Sequence, residues 1–157
     1  MSDDITIKIA TTTADFNLGK TLFKEYVQSL GVDLSFQDFE SELQTIAQQY
    51  NKPNGALLLI FKGQEAIGCA GIRKLENHTA ELKRMYLQDA YRGEGIGLTL
   101  LKSSIETAKT LGYHTIRLDT LRNMTAAQQL YKSFGFYEIP AYRFNPLEGT
   151  IYMEKEL

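Results

Sequence analysis

Three glycines within five residues, Gly93, Gly95 and Gly97, form the segment of this sequence with the clearest chemical potential. They follow the apolar residues "MYL" and precede "LTLLKSSIETAKTLG", whose apolar spacing predicts a helix. Backbone N–H groups at a helix N-terminus are unpaired and lie at the positive end of the helix dipole. Because glycine has no Cβ atom, a phosphate can approach those N–H groups closely. The segment therefore predicts either a pyrophosphate-binding loop or a turn that needs glycine only for positive φ angles.

Two common nucleotide-binding motifs fit this segment poorly. A P-loop ends in Gly-Lys-Ser/Thr, whereas Gly97 is followed by Leu98 and Thr99. A Rossmann fingerprint is GxGxxG directly after the first strand of a βαβ unit. Here the spacing is GxGxG, and the five residues "QDAYR" separate Leu87 from the first glycine. The sequence therefore disfavours both a P-loop and a dinucleotide-binding fold.

Length and composition exclude several other classes of protein. The 157 residues suit one domain, 1–157, and the net charge of −2 argues against a nucleic-acid partner. No apolar run approaches the roughly 20 residues that span a membrane. The single cysteine, Cys69, allows no internal disulfide, and the acidic start lacks a signal-peptide pattern, so we expect a cytoplasmic protein. His78 and His114 have no partner at ligand spacing, so no metal site is expected.

The elements that must position the glycine loop alternate in type along the chain. Apolar periodicity and turn residues predict the order β-α-α-β-β-β-α-β-α-β-β. The predicted strands are 5–10, 56–61, 65–75, 79–87, 114–120, 136–139 and 149–157, and the helices are 13–30, 35–47, 95–111 and 124–135. A meander followed by strand–helix–strand crossovers implies an α/β fold, with one mixed sheet and helices on both faces.

The segment from Arg92 to Gly97 reads R-x-x-G-x-G and resembles the coenzyme A loop of the GNAT superfamily of N-acetyltransferases. The resemblance extends over about Gly63 to Leu157, including "AELKRMYL" before the loop and "AAQQLYKSFGF" after it, and the element order is similar over the whole chain. It implies a GNAT-like acyl-CoA N-acyltransferase fold that transfers acetyl from acetyl-CoA to a primary amine of a small molecule or peptide. The resemblance also implies that the protein uses no metal and that it could form a homodimer. A non-catalytic acyl-CoA-binding module on the same fold is the alternative.

The resemblance also assigns cofactor-binding residues. In the family, the strand before the loop splays away from its neighbour at a bulge, and its backbone pairs with the pantetheine arm of the cofactor; these positions are Met85, Tyr86 and Leu87. The pyrophosphate would lie on the amides of Gly93, Glu94, Gly95, Ile96, Gly97 and Leu98, with Arg92 at the head of the loop. The family's cofactor-binding asparagine is replaced by Met124. Asn123 could take its place if the helix start shifts, or could cap that helix instead.

Two residues are assigned to catalysis by the same resemblance. Tyr131 in "LYKSFGF" would be the general acid, because a phenol stays protonated at neutral pH and can donate to the departing thiolate. Glu81, eleven residues before Arg92, would be the base that takes a proton from the amine, or else a strand residue paired with a basic side chain. Asp119 and a water are the competing bases.

Other residues are expected to face the acceptor. The resemblance places the connection between the last two strands, with Tyr142, Arg143 and Asn145, at the acceptor pocket, although the segment could equally be a stiff surface loop. Arg84 and Arg122 could meet an acceptor carboxylate or be solvated.

Overall fold

The computed structural model describes residues 4–31, 38–143 and 149–157 of the chain. Within these ranges the predicted order of elements is confirmed, except that two short helices occupy the place of the second predicted one. The strands are β1 (Ile5–Ile9), β2 (Ala56–Lys62), β3 (Glu65–Glu76), β4 (Thr79–Leu87), β5 (Thr115–Leu121), β6 (Tyr137–Ile139) and β7 (Thr150–Glu156). The helices are α1 (Thr13–Leu30), α2 (Phe39–Gln44), α3 (Ile46–Gln49), α4 (Ile96–Thr110) and α5 (Thr125–Ser133).

The second predicted helix is interrupted at Thr45, whose backbone leaves the helical region with φ −112° and ψ 20°. Its hydroxyl donates to the carbonyl of Ser41 at 2.8 Å, a local bond of the kind that competes with helix continuation. The predicted N-cap Ser35 and the neighbouring Phe36 lie outside the described residues. The apolar stripe of this region nevertheless reaches the core, because Leu43 and Ile46 are both buried.

One seven-stranded mixed sheet, in the order β1-β2-β3-β4-β5-β7-β6, forms the centre of the fold. Strand β4 runs parallel to β5, and the other neighbouring pairs are antiparallel. One core cluster lies between the sheet and the layer of α4 and α5, and a second lies between the sheet and α1–α3. The predicted α/β class with helices on both faces is therefore confirmed.

Helix α1, which forms one wall of the site, has well-defined ends. The hydroxyl of Thr12 accepts from the backbone N–H of Asp15, and the Asp15 carboxylate accepts from the N–H of Thr12, forming a capping box. The helix ends at Gly31, which adopts the left-handed conformation with φ 66°. These signals explain why the predicted boundaries of this helix agree with the structure.

Strands β4 and β5 separate soon after they begin, which opens the centre of the sheet. They pair only from Thr79 to Glu81 on β4 and from Thr115 to Arg117 on β5. The register between β3 and β4 shifts after Lys83, at Arg84, whose φ is 57°. A non-glycine residue in the left-handed region inside a strand is a strained conformation. The bulge turns the second half of β4 away from β5.

A buried ion pair stabilises this bulge. Arg84 donates to Glu42 of α2 from Nη2 to Oε1 at 2.8 Å and from Nε to Oε2 at 3.2 Å. The hydroxyl of Tyr50 also donates to Glu42 Oε2, at 2.8 Å. Removing one partner of such a pair typically costs about 3–5 kcal/mol, because the other charge stays buried. Arg84 is buried and paired with Glu42, so the expectation that it is solvated is wrong, and its contact with an acceptor carboxylate stays a prediction.

Among the described residues, no helix is both long and apolar enough to cross a membrane.

Candidate active site

A cavity of about 620 Å³ occupies the opening between β4 and β5. This volume lies within the range of small-molecule and cofactor sites. Its wall is formed by the end of β4, the glycine loop, the first turns of α4 and α5, and the C-terminal part of α1. The predicted cofactor residues Met85, Tyr86, Leu87, Arg92, Gly93, Gly97 and Asn123 line it, together with the predicted acid Tyr131.

The glycine loop has the geometry of an anion site. Gly93 and Gly95 have φ angles of 86° and 79°, a region that residues with a side chain rarely adopt. Helix α4 begins at Ile96, and no side chain of the described residues caps its first N–H groups. Helix α4 has 15 residues, and its N-terminus follows the glycines. Such a helix N-terminus is suited to bind a phosphate. The positive φ angles confirm that the turn needs glycine, and the binding of a pyrophosphate by the loop stays a prediction.

The side chain of Arg92 bonds to residues of the turn that precedes the glycine loop. Its Nε donates to the carbonyl oxygen of Leu87 at 2.9 Å, and its Nη1 lies 2.8 Å from a carboxylate oxygen of Asp89. The guanidinium therefore fixes the turn that carries the chain from β4 to the loop. The side chain is still about half exposed at the cavity edge, where an anionic group can reach it.

The end of β4 faces the cavity through both backbone and side chains. Met85 lies in the bulge and has no partner in the pairing with β3 or β5. The side chains of Tyr86 and Gln88 donate to Glu25 of α1, at 3.3 Å and 3.1 Å. The Tyr86 ring also contacts Tyr26 of the same helix at 5.9 Å between centroids. These contacts connect the end of β4 to α1.

Tyr131 lies on α5, with its ring packed against Phe136 and only 7% of its surface exposed. Its phenol has no hydrogen-bond partner among the described residues. Burial raises the pKa of Tyr131, and the nearby charges of Tyr26 and Asp119 raise it further. The hydroxyl is therefore protonated at neutral pH and free to donate to a ligand in the cavity.

Asn123 lies on the turn between β5 and α5 and lines the cavity. The N-cap of α5 is Met124, which makes no side-chain cap bond. Asn123 is therefore not the cap, and its contact with the cofactor stays a prediction. The turn itself is fixed by Gln128, whose Nε2 donates to the carbonyls of Leu121 and Arg122.

Glu81 is fully buried and occupied at both oxygens. Oε1 accepts from Arg73 Nε at 3.1 Å, and Oε2 accepts from the hydroxyl of Tyr142 at 2.8 Å and from Arg143. Burial alone would raise the pKa of Glu81, but the positive charges of Lys83, Arg73 and Arg143 outweigh burial and lower the pKa to about 2. A carboxylate of this kind is a weak proton acceptor. The geometry therefore favours the paired role over the base role that the resemblance implied.

Asp119 differs from Glu81, because one of its carboxylate oxygens lacks a hydrogen-bond partner among the described residues. It lies on β5, and its Oδ2 is buried without a hydrogen-bond partner in the described parts of the chain. Its charge acts on the phenols of Tyr131 and Tyr142. A buried carboxylate oxygen without a protein donor is costly unless a ligand or a water supplies one.

Three features of the site were not predicted from the sequence: the Arg84–Glu42 pair, the Glu25 contacts with β4 and the surroundings of Lys83. One signal was present in "AELKRMYL", where Glu81, Lys83 and Arg84 fall within four residues of a central strand. Charged residues are seldom buried unless paired. Three charged residues in a central strand therefore indicate a polar site on that strand.

The predicted acceptor residue Asn145 lies outside the described residues.

The comparisons with known proteins agree with this geometry. The sequence profile of the Acetyltransferase (GNAT) family matches residues 20–136. An uncharacterized N-acetyltransferase of Schizosaccharomyces pombe is 34% identical over 98% of this chain and 96% of its own length. The N-acetylaspartate synthetase of Danio rerio is 31% identical over 81% of this chain and 49% of that protein. The crystal structure of a GNAT-family acetyltransferase from Staphylococcus aureus superposes with a TM-score of 0.78 at 25% identity, covering 98% of this chain and 99% of that one.

The family profile covers most of the chain, and the similarity to the fission yeast relative extends over nearly all of it. A split central sheet, a glycine loop at a helix N-terminus and these relatives lead to one conclusion: the chain belongs to the acetyltransferase (GNAT) family and is an N-acetyltransferase.

Proposed function

We propose that this protein transfers the acetyl group of acetyl-CoA directly to a primary amine of a small molecule. The observation that carries the proposal is the cavity between β4 and β5. It has an uncapped helix N-terminus at its rim and the unpaired phenol of Tyr131 on its wall. The pyrophosphate of the cofactor would lie on the amides of Gly93 to Leu98. The pantetheine arm would follow the backbone of Met85, Tyr86 and Leu87, as an added strand does.

Direct transfer is favoured over an acyl-enzyme because the chain offers no suitable thiol. Cys69 is fully buried in the core cluster under α1–α3. Its Sγ lies 3.4 Å from the carbonyl oxygen of Arg84, and burial raises the pKa of the thiol. A protonated, inaccessible thiol is not a nucleophile. The amine nitrogen would therefore attack the thioester carbon itself.

The reaction needs a proton acceptor and a proton donor. The amine loses a proton as its nitrogen bonds to the carbonyl carbon, and Asp119 Oδ2, directly or through a water, would accept it. The developing oxyanion would be stabilised by backbone N–H near Tyr86. The carbon–sulfur bond then breaks, and Tyr131 would give its proton to the departing coenzyme A thiolate.

The alternative, a non-catalytic acyl-CoA-binding module, needs the loop but not the phenol. The free hydroxyl of Tyr131 inside the cavity favours the enzyme. Calorimetric titration with acetyl-CoA, using NAD as the control ligand, tests binding. Amine-dependent release of coenzyme A thiol tests catalysis. Binding without thiol release across a broad amine panel would support the module, and no binding of acetyl-CoA would refute both forms of the proposal.

The acceptor is proposed to be small. The Danio rerio relative is named for the synthesis of N-acetylaspartate, which is consistent with an amino acid as acceptor. On the acceptor side of β4, Glu81 fixes Tyr142 and Arg143, so these two side chains are positioned as a wall of the pocket. The ring of Tyr142 also packs edge-on against Tyr152, with 5.0 Å between centroids.

A further inference from the structure

Lys83 is a buried lysine that the proposed mechanism does not use. Its side chain is only 4% exposed. In the described parts of the chain, no acceptor pairs with its ammonium group in a hydrogen bond or salt bridge. Buried lysines are rare and are usually paired. Among the described residues, the ammonium group of Lys83 is therefore available to a ligand.

The strand register determines which way Lys83 points. Alternate residues of a strand face opposite sides of the sheet. Glu81 lies opposite Arg73, which contacts Gln49 of α3 at 2.8 Å, so Glu81 and Lys83 both face the layer of α1–α3. Lys83 lies opposite Gly71, the residue over which the Tyr50 ring of that layer packs. Lys83 is thus on the face of the sheet that α1–α3 cover.

Asp119 lies across the opening from Lys83. The last paired residues of the two parallel strands are Glu81 and Arg117. Lys83 and Asp119 follow two residues later on their strands, so they face each other at the point where the strands begin to separate. Asp119 alternates with Leu118 and Thr120, which are buried on the other side, and thus faces α1–α3 as well. The charge of Asp119 acts to raise the pKa of Lys83, yet no direct salt bridge joins these two described residues.

The two groups have opposite charge and lie where β4 and β5 begin to separate. The ligand that satisfies both carries an ammonium or amine donor for Asp119 and an anionic acceptor for Lys83. We propose that the acceptor is a free amino acid, whose amine is held by Asp119 and whose carboxylate is held by Lys83. This inference rests on the proposed function and specifies the substrate class of the same site.

The two groups together favour a zwitterion over a simple amine. A polyamine or alkylammonium would satisfy Asp119 but would supply no acceptor for Lys83. The carboxylate of an amino acid supplies that acceptor.

Lys83 is therefore a specificity-determining residue, and the test compares matched acceptors. The wild-type protein with acetyl-CoA is assayed for thiol release with the twenty common amino acids, with their α-carboxamides and with simple alkylamines. The expected result is that the best acceptor carries a free carboxylate, and that its carboxamide has a kcat/KM lower by about 10- to 100-fold, the loss typical of a charge-assisted hydrogen bond.

The variant Lys83→Met keeps the length of the side chain and removes the charge. It should lower kcat/KM for the carboxylate acceptor by the same about 10- to 100-fold, with KM affected most. The rate with the carboxamide should change by less than about threefold. Lys74→Met, at an exposed lysine of β3, is the matched control and should leave both rates unchanged. Titration of each variant with acetyl-CoA should give the wild-type Kd.

Two results would overturn the inference while leaving the proposed function intact. One is an acceptor profile in which carboxamides or alkylamines are used as well as the free acids. The other is a Lys83→Met variant that loses activity equally with charged and neutral acceptors. If no amine in the panel releases thiol, the proposed catalysis itself is refuted, so the two failures are distinguishable.

Discussion

Replacing Lys83 by methionine should make the protein more stable. Burial lowers the pKa of Lys83 from its ordinary value of 10.5 to about 8, and the charges of Arg84 and Arg73 act in the same direction as burial. Glu81 and Asp119 oppose the shift but do not cancel it. A pKa that is lower in the folded state means that the charged lysine disfavours folding.

The size of the expected stability gain follows from the difference between the ordinary pKa of lysine and the pKa of Lys83 in the folded protein. Each pKa unit corresponds to about 1.4 kcal/mol, so the charged Lys83 lowers the free energy of unfolding by about 3 kcal/mol at pH 7. This penalty is fully present below pH 8 and disappears as the pH rises towards 10.5, where the unfolded chain also loses its proton. Methionine avoids the penalty but fills the space less well. We therefore expect Lys83→Met to gain about 2 kcal/mol at pH 7, or about 5 °C in Tm for a chain of this size.

Urea unfolding at pH 7 and at pH 10 measures this gain without acetyl-CoA or acceptor present. The advantage of Lys83→Met should be largest at pH 7 and much smaller at pH 10, and the exposed control Lys74→Met should stay within about 0.5 kcal/mol of wild type at both. A Lys83→Met variant that is less stable than wild type at pH 7 would refute the reasoning, because it would show that the lysine is paired within the folded protein. A stable but acceptor-defective variant would identify Lys83 as a residue retained for function at the expense of stability.

Further predictions concern the acid, the buried glutamate and the loop. Tyr131→Phe should lower kcat about 100-fold with little change in the Kd of acetyl-CoA, and unchanged turnover would remove the phenol from the mechanism. Glu81→Gln should lower the free energy of unfolding by about 3 kcal/mol at neutral pH, with the loss vanishing as the pH falls from 4.5 to about 2, because the folded-state pKa of Glu81 is depressed. An equal loss at every pH would contradict this assignment. Gly95→Ala should cost about 1–2 kcal/mol of stability and weaken acetyl-CoA binding about tenfold, whereas Gly112→Ala, at a similarly positive φ beyond the end of α4, should cost similar stability with no change in binding.

The sequence predicted most of the fold because its local signals agree with its tertiary contacts. Helix α1 combines a capping box at Thr12, an apolar stripe and a terminal glycine, and its boundaries are as predicted. The region of α2 and α3 was predicted less well, since a side-chain bond at Thr45 divides an otherwise continuous apolar pattern.

The residues of the site, like the elements of the fold, were predicted where their signal is local and missed where they depend on distant contacts. The glycine loop and Tyr131 have signals in short segments, and the structure places both at one cavity. The surroundings of Glu81 depend on Arg73, Tyr142 and Arg143, the last two more than 60 residues further along the chain. No local pattern reveals which carboxylate such distant groups will neutralise. The proposal that Asp119 rather than Glu81 accepts the proton therefore required the strand register and the contacts of Tyr142 and Arg143.

The most direct test of the central claim is the identity of the product. Wild-type protein incubated with acetyl-CoA and its best amino acid acceptor should yield one N-acetylated amino acid for each coenzyme A thiol released, as measured by mass spectrometry and thiol titration on the same sample. Acetyl-CoA that binds to the protein but leaves every amine unmodified would contradict the account.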